Sequence, residues 1–182
     1  MRLVPGIATR IRVMLALFAL FAASPCLLPA SQGPGVGQQV TNFVFTDFSG
    51  KKHRLSDYSG RYVLLDFWAT WCGPCVKEVP TLKQVKELYQ GRGLIILGMN
   101  SDEKIGKARK FLEKKQVSWL QSAPQSTKRI VDGDLKVKWY PTMILLDPQR
   151  RIVFVSGDGK RVLKGKKLLR KLDHVLPSAT QP

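Results

Sequence analysis

Two cysteines separated by two residues are the most chemically distinctive feature of this sequence. Cys72 and Cys75 stand in the stretch FWATWCGPCV, residues 67–76, and are two of three cysteines in the 182-residue chain. A pair at this spacing could be a structural disulfide, half of a zinc site or a redox couple. Because closing so small a loop removes little entropy from the unfolded chain, a purely structural disulfide would add little stability.

A zinc site would need two further ligands beyond the cysteine pair. The two histidines, His53 and His174, do not have the spacing of partners for Cys72 and Cys75, and the sequence has no second Cys-X-X-Cys. We therefore expect no metal or other cofactor at the pair. Both histidines are interpreted as surface residues.

The residues between the cysteines favour the redox interpretation. Gly73 and Pro74 close a turn into a predicted helix, which places Cys72 at the helix N-terminus. The backbone N–H groups and the helix dipole at that position stabilise a thiolate, the nucleophilic form of cysteine. Cys75 lies one turn along the helix, where it can attack a mixed disulfide formed at Cys72. Cys72 is thus the predicted nucleophile and Cys75 the predicted resolving thiol.

The hydrophobic pattern predicts the elements that would hold this pair. Residues 62–67 and 94–99 are short apolar runs typical of buried central strands. Residues 74–89 and 104–115 have apolar side chains at helical spacing, and Pro80 should kink the first of these helices.

The two ends of the domain are predicted to differ in type. Near the N-terminus, residues 43–45 and 53–55 resemble the arms of a hairpin. Strands 143–146 and 152–155 are joined by a turn too short for a crossover, so we expect them to be antiparallel, followed by a helix over about 160–175. These elements predict an α/β protein, a three-layer α/β/α sandwich with a mixed central sheet and an N-terminal β-hairpin.

The N-terminal thirty residues have the layout of a secretory signal peptide. Arginines at positions 2, 10 and 12 precede an unbroken apolar run over 13–23, which is shorter than the roughly 20 residues of a membrane span. No cleavage site is clean, so an uncleaved N-terminal membrane anchor stays open. Removing residues 1–30 would take away Cys26 and leave only the close pair, which is not the pattern of a disulfide scaffold.

The sequence therefore divides into four predicted parts. A signal peptide or anchor over 1–30 is followed by a Gly/Gln-rich flexible leader over 31–39. One domain over 40–176 comes next, and a short tail over 177–182 ends the chain. Export places the protein in the periplasm or another extracytoplasmic compartment.

The chain is strongly basic, with a formal net charge of +17 at pH 7. The basic residues are scattered, and the densest run, residues 160–171 (KRVLKGKKLLRK), alternates with apolar residues as one face of a helix does. We interpret the run as a solvated helix face and expect no nucleic-acid partner. Contact with an anionic membrane surface is the functional alternative.

The stretch DFWATWCGPC, residues 66–75, resembles the active site of the thioredoxin superfamily. Three further stretches resemble its exported TlpA/ResA-type branch: residues 43–72 (FVFTDFSGKKHRLSDYSGRYVLLDFWATWC), residues 75–80 (CVKEVP) and residues 139–159 (WYPTMILLDPQRRIVFVSGDG). The resemblance covers about residues 40–176 and implies a thioredoxin-like sandwich.

The resemblance also implies roles for residues around the pair. Pro141 would be a cis-proline facing the cysteines, and Tyr140 would offer its backbone groups to an extended substrate segment. Asp66, which an alternating strand would place beneath the cysteines with a raised pKa, would be a proton relay for Cys75. Glu78 would tune the thiols, the alternative being a solvated helix carboxylate.

Trp71, Gly73 and Pro74 are predicted to border the substrate site. Trp68 and Trp71 are also predicted to be packing residues, with Trp71 shielding the pair. From its residues alone, Pro141 would merely be a proline at the start of a strand.

These observations predict an exported thiol–disulfide oxidoreductase that acts on protein substrates. Its Gly-Pro dipeptide resembles that of thioredoxin, whose potential is about −270 mV against about −120 mV for the oxidant DsbA, so we expect a reductant. Its electrons would come from a membrane protein, and the resemblance suggests cytochrome c maturation or metalloprotein assembly as their destination.

Two alternatives stay open. A redox-inactive binding module of the same fold would not need both thiols. A peroxiredoxin-like peroxide reductase would carry a threonine three residues before its catalytic cysteine, where this chain has Ala69.

Overall fold

The computed structural model describes residues 33–157 and 162–178. The predicted signal peptide or anchor, with Cys26, lies outside the described residues, as do residues 158–161 and 179–182. No helix in the described part of the chain is long and apolar enough to cross a membrane.

The described residues form a five-stranded mixed sheet and a separate two-stranded hairpin. The sheet has the order β5-β4-β3-β6-β7, in which β3 pairs in parallel with β4 and antiparallel with β6. Its strands are β3 Tyr62–Trp68, β4 Leu94–Asn100, β5 Leu120–Ser122, β6 Thr142–Leu146 and β7 Ile152–Ser156. The hairpin pairs β1 Val44–Thr46 with β2 Lys52–Arg54.

Helices cover both faces of the sheet. They are α1 Gly73–Tyr89, α2 Ile105–Lys114, α3 Pro124–Arg129 and α4 Lys166–Val175, with a π-helix at Ile130–Asp134 after α3 and 3-10 turns at Leu55–Tyr58 and Gln90–Arg92. This architecture confirms the predicted three-layer sandwich with its N-terminal hairpin, and confirms that β6 and β7 are antiparallel.

The alternation of β3 divides the core into two layers. Val63, Leu65 and Phe67 pack on one face with the hairpin and the π-helix, whereas Leu64 packs on the other with α1 and α4. Asp66 shares a face with Leu64, so a carboxyl group stands where the pattern would otherwise place a core side chain.

Two elements between residues 116 and 142 escape the sequence pattern. The edge strand β5 is three residues long and includes the polar residues Gln121 and Ser122, and α3 is six residues long. Both are too short to show a period, and they form because tertiary partners hold them. For example, the backbone N–H of Thr46 donates to the hydroxyl of Ser126 at 3.0 Å.

The helix α1 runs without interruption through Pro80, which is exposed. The last helix begins later than predicted, at Lys166, because residues 162–165 are not helical and Gly165 has a φ of 50°. The basic run 160–171 is therefore only partly helix. Within it, Leu168 and Leu172 are buried.

The predicted flexible leader is tied to the sheet along part of its length. The backbone N–H of Gly37 donates to the carbonyl of Ile152 at 2.8 Å, and that of Ile152 donates to the carbonyl of Gln38 at 2.9 Å. Val40 continues the pattern by donating to Arg150 at 2.9 Å. Residues 37–40 thus pair with the first residue of β7 and the two residues before it.

Candidate active site

Cys72 and Cys75 form a disulfide at the N-terminus of α1, with a sulfur–sulfur distance of 2.00 Å. Cys72 is the N-cap residue, and its Sγ accepts a hydrogen bond from the backbone N–H of Cys75 at 3.2 Å. Pro74 occupies the first turn, where its fixed φ suits the helix and its missing N–H costs nothing. The first turn contains no acidic residue, so nothing there opposes a thiolate at Cys72.

A buried aspartate that the sequence analysis missed holds the loop before the pair. Asp102 accepts hydrogen bonds from the backbone N–H and the hydroxyl of Thr70, at 3.1 and 2.5 Å, and from the amide of Asn100 at 2.7 Å. The loop between β3 and α1 is thereby fixed to the end of β4. The sequence signal that could have identified Asp102 is the polar stretch that directly follows the apolar run of β4, in which Asn100 and Asp102 flank Ser101.

Asp66 lies beneath the disulfide and borders the same small cavity as Cys75. Only 4% of its surface is exposed. Burial, with a smaller contribution from the negative charge of Glu78, raises the pKa of Asp66 to about 7. A carboxyl group that titrates near neutrality beside a thiol can both accept and return a proton.

Glu78 is buried as well, with 4% of its surface exposed, so it is not a solvated helix carboxylate. Its Oε1 accepts a hydrogen bond at 2.9 Å from the backbone N–H of Gly165, the N-cap residue of α4. One carboxylate thus connects the helix that carries the cysteines to the start of the C-terminal helix.

We expect Glu78→Gln to lower the pKa of Asp66, because the variant removes the one charge that raises it. We also expect a loss of about 1 kcal/mol in unfolding free energy, since the bond from Gly165 would become a neutral one. Titration of the Asp66 carboxyl by NMR and urea unfolding measure the two effects. Glu87→Gln, at an exposed position of the same helix, is the matched control. An unchanged Asp66 titration in Glu78→Gln would show that the charge of Glu78 does not raise the pKa of Asp66.

Tyr140 packs against the cluster of buried side chains that contains Cys72 and Cys75. The peptide bond between Tyr140 and Pro141 is cis. The Tyr140 ring makes an edge contact with Trp71, with 5.5 Å between ring centroids, and its hydroxyl lies 2.7 Å from that of Ser101. Gly157 supports this loop from behind. A Cβ there would lie 1.9 Å from the carbonyl oxygen of Pro141, and its φ of 100° also disfavours any other residue.

The two tryptophans predicted to pack differ in the structure. Trp68 is buried, and its Nε1 donates to Oε1 of Gln121 at 2.9 Å. Trp71 is 64% exposed, so the packing interpretation is wrong for this residue. Trp139, which the sequence analysis did not single out, is 58% exposed. Two large aromatic side chains are therefore exposed to solvent, one in contact with Tyr140 and the other next to it in the sequence.

His53 is not a free surface residue, contrary to the sequence interpretation. Its Nε2 lies 2.8 Å from Oδ2 of Asp47, its Nδ1 lies 3.2 Å from the Tyr58 hydroxyl, and its ring stacks on Phe45. Burial alone would raise the pKa of Asp47, but hydrogen bonds from Ser49, His53 and the backbone hold it well below its usual value. The network closes the hairpin. His174 is exposed.

Among the described residues, no group of His, Cys, Asp and Glu side chains is arranged to hold a metal ion. A cysteine pair at disulfide distance and a buried carboxyl group in contact with the same cavity suit thiol–disulfide exchange.

Comparison with known proteins agrees with this geometry. Residues 36–155 match the AhpC/TSA family. A thiol-disulfide oxidoreductase ResA from Bacillus cereus is 34% identical over 132 residues, which cover 71% of this chain and 75% of that protein.

Solved structures show the same fold. The thioredoxin domain of a thiol-disulfide oxidoreductase from Bacteroides vulgatus matches with a TM-score of 0.69 and 26% identity, over 79% of this chain and 99% of that one. A thiol:disulfide interchange protein from Bacteroides sp. matches with a TM-score of 0.70 and 25% identity, over 82% of this chain and 95% of that one.

Proposed function

We propose, from the premise that this chain belongs to the AhpC/TSA family of thioredoxin-fold proteins and is a thiol–disulfide oxidoreductase, that it is an exported reductant of protein disulfides. The observation that carries the proposal is the Cys72–Cys75 pair at the N-terminus of α1, with Asp66 at the cavity beneath it.

The reaction begins with the reduced pair. The Cys72 thiolate attacks a substrate disulfide, so that one substrate sulfur leaves as a thiolate and the other is joined to Cys72. Cys75 then loses its proton and attacks Sγ of Cys72, which forms the intramolecular disulfide and releases the second substrate thiolate. Asp66 accepts the proton of Cys75 in the second step. Because its pKa is about 7, the carboxyl group is partly ionised at neutral pH and can act as this base.

We place the substrate on the surface formed by Trp71, Gly73, Pro74, Tyr140 and Pro141. Two hollows flank this surface. One is lined by Trp71 with Asp102, Glu103, Lys104 and Lys107, and the other by Trp139 with Lys136 and Lys138. Exposed aromatic side chains give contact area at low entropic cost, and the two lysines of the second hollow, which has no acidic side chain among the described residues of its lining, favour an acidic substrate segment there.

Export is inferred from the arginines and apolar run of residues 1–30. A reductant in an oxidising compartment needs recharging, so we infer a membrane protein that relays electrons to the Cys72–Cys75 disulfide. Cytochrome c maturation or metalloprotein assembly is the proposed destination, on the TlpA/ResA resemblance of the sequence. The full-length protein, expressed with residues 1–30 and a detectable label, should be found in the extracytoplasmic fraction. Recovery only from the cytosol would refute export.

The basic run 160–171 is a proposed contact with anionic lipid. Its described part exposes Lys164, Lys166, Lys167 and Arg170. Co-sedimentation with anionic vesicles, lost in moderate salt, tests this contact.

The direction of the reaction is tested by the reduction potential of the pair. Purified protein is equilibrated in defined thiol/disulfide buffers, and the fraction of the Cys72–Cys75 disulfide is measured. We expect a value near about −270 mV or lower, as for thioredoxin. A value above about −180 mV would mark an oxidant or isomerase and end the reductant proposal.

A further inference from the structure

A glycine in the middle of β4 makes room for a side chain that crosses the strand. Gly98 pairs with Asp66 of β3 on one side and with Gln121 of β5 on the other, so the three residues share one face of the sheet. Its φ is not in the positive range, so the backbone would accept another residue there. A Cβ on Gly98, however, would lie 2.0 Å from Oε1 and 2.5 Å from Cδ of Gln121.

The side chain of Gln121 uses this space to reach from β5 to β3. Its Oε1 accepts the hydrogen bond from Nε1 of Trp68 at 2.9 Å, and its Nε2 donates to the carbonyl of Trp119 at 3.2 Å. Both bonds fix the orientation of the amide. A glutamine amide has two donors and two acceptor lone pairs, so one of each stays free of these bonds.

The fixed amide borders the cavity that contains the buried carboxyl. This cavity, of about 10 Å³, is lined by Asp66, Trp68, Cys75, Trp119 and Gln121, with apolar side chains completing the wall. Its volume is that of about one water molecule, which needs two to four polar partners. Asp66 is the sole charged residue of the lining. Glu78, on α1, acts on Asp66 through its charge.

Gln121 also lines a larger cleft that is open to solvent. This cleft of about 510 Å³, with Asp47 and Arg109 among its lining residues, shares Trp119 and Gln121 with the buried cavity. Nε1 of Trp119 is buried and has no hydrogen-bond partner among the described residues. Buried donors of this kind are commonly satisfied by ordered water. Gln121 and Trp119 therefore line both the buried cavity of Asp66 and the open cleft.

We propose that Gln121, seated over Gly98, is a positioning residue that holds a water molecule between Asp66 and the cleft, and that the proton released by Cys75 leaves the protein by this route. This inference rests on the relay role proposed for Asp66. The amide binds the water and is not itself protonated.

The proton balance of the step is simple. When the Cys75 thiol becomes a thiolate and attacks Sγ of Cys72, its proton passes to the Asp66 carboxylate. Because the pKa of Asp66 is about 7, part of the protein starts with this carboxyl protonated and must first release that proton through the bound water to solvent in the cleft. The proton taken from Cys75 leaves by the same path after closure. When the Cys72–Cys75 disulfide is itself reduced, the same path supplies the proton that Cys75 takes up.

The test compares Gln121→Met, which keeps length and volume but removes the amide, with Gln125→Met at an exposed position of α3. The reduced proteins are mixed with a disulfide substrate, and the single-turnover rate of closure of the Cys72–Cys75 disulfide is followed by stopped-flow fluorescence. We expect Gln121→Met to slow closure about tenfold at pH 7, within the range of general acid–base effects. The reduction potential of Gln121→Met should equal that of the original protein. The closure rate of Gln125→Met should also equal that of the original protein.

A double-mutant cycle separates this route from a structural effect. Adding Gln121→Met to Asp66→Asn should cause no further loss, because both changes interrupt one proton path. High concentrations of imidazole should restore the rate of Gln121→Met by carrying the proton directly. Losses that multiply in the double variant, or a Gln121→Met rate equal to the original, would overturn the proposal. If Asp66→Asn itself has no effect on closure, the relay fails rather than this route alone.

A second measurement uses no variant. In the original protein, Nε1–H of Trp119 should give an NMR cross-peak to a long-lived bound water. Absence of that cross-peak, with the other indole signals intact, would overturn the water site. Gln121→Asn, which keeps the amide but is too short to cross β4, replaces Gln121→Met if the latter fails to fold.

Discussion

The Cys72→Ser variant is expected to reduce insulin disulfides no faster than buffer does, a loss of at least about a thousandfold. Removing a covalent nucleophile abolishes the first step of the exchange, and the other groups of the site have no bond to form with the substrate. Cys72 is the N-cap of α1, and serine is also a good N-cap residue, so the variant should fold normally.

The Cys75→Ser variant carries the same substitution at the other sulfur and is the matched comparison. It keeps the nucleophile but cannot resolve the mixed disulfide, so it should accumulate a covalent complex with a disulfide-containing substrate. Non-reducing gel electrophoresis detects that complex, which Cys72→Ser should not form. Undiminished insulin reduction by Cys72→Ser would refute the assignment of Cys72 as the nucleophile. An original protein that itself fails to reduce insulin would favour a redox-inactive binding module.

Replacement of Asp66 by asparagine is expected to stabilise the protein, and more so at higher pH. The pKa of Asp66 is about 7 in the folded protein against a reference value of 3.8. A raised carboxyl pKa means that folding favours the protonated form, so stability is greatest below pH 4 and falls as the pH rises towards 7. Each pKa unit corresponds to about 1.4 kcal/mol, so above pH 7 the buried carboxylate costs about 4 kcal/mol.

Urea unfolding at two pH values measures this cost. The stabilisation by Asp66→Asn should be about 3 kcal/mol larger at pH 8.5 than at pH 5. Asp134→Asn, at an exposed position, should show no such difference. Turnover should change in the opposite sense, because asparagine cannot accept the proton of Cys75, and the pH dependence of closure between pH 6 and 8 should flatten. A stabilisation that is the same at both pH values would contradict a buried ionised Asp66.

The sequence predicted the framework well because its long elements have clear periods. Strand β3 and helix α1 show apolar runs and helical spacing that local physics determines, and the turn between β6 and β7 was short enough to exclude a crossover. The position of Asp66 on the inner face of β3 followed from the same alternation.

The residues that the sequence analysis missed depend on contacts between distant segments. Gly98 interrupts an apolar strand, which is a known sign of close approach, but the approaching side chain belongs to Gln121 on an edge strand without a pattern of its own. Glu78 was predicted to act on the thiols, but its hydrogen bond from Gly165 could not be predicted, because that residue lies 87 residues later. Trp71 was predicted to pack, but its side chain is exposed.

The pairing of residues 37–40 with the outer edge of β7 bears on self-association. An uncovered edge strand presents unpaired backbone N–H and carbonyl groups, and these can pair with the edge of another molecule. Here the bonds of Gly37 and Gln38 occupy that row at Ile152, where β7 begins, and Val40 continues them to Arg150. A domain trimmed at residue 40, the boundary that composition suggests, would uncover this edge and invite intermolecular sheets. We therefore expect the segment before the domain to reduce association through this end of the sheet edge.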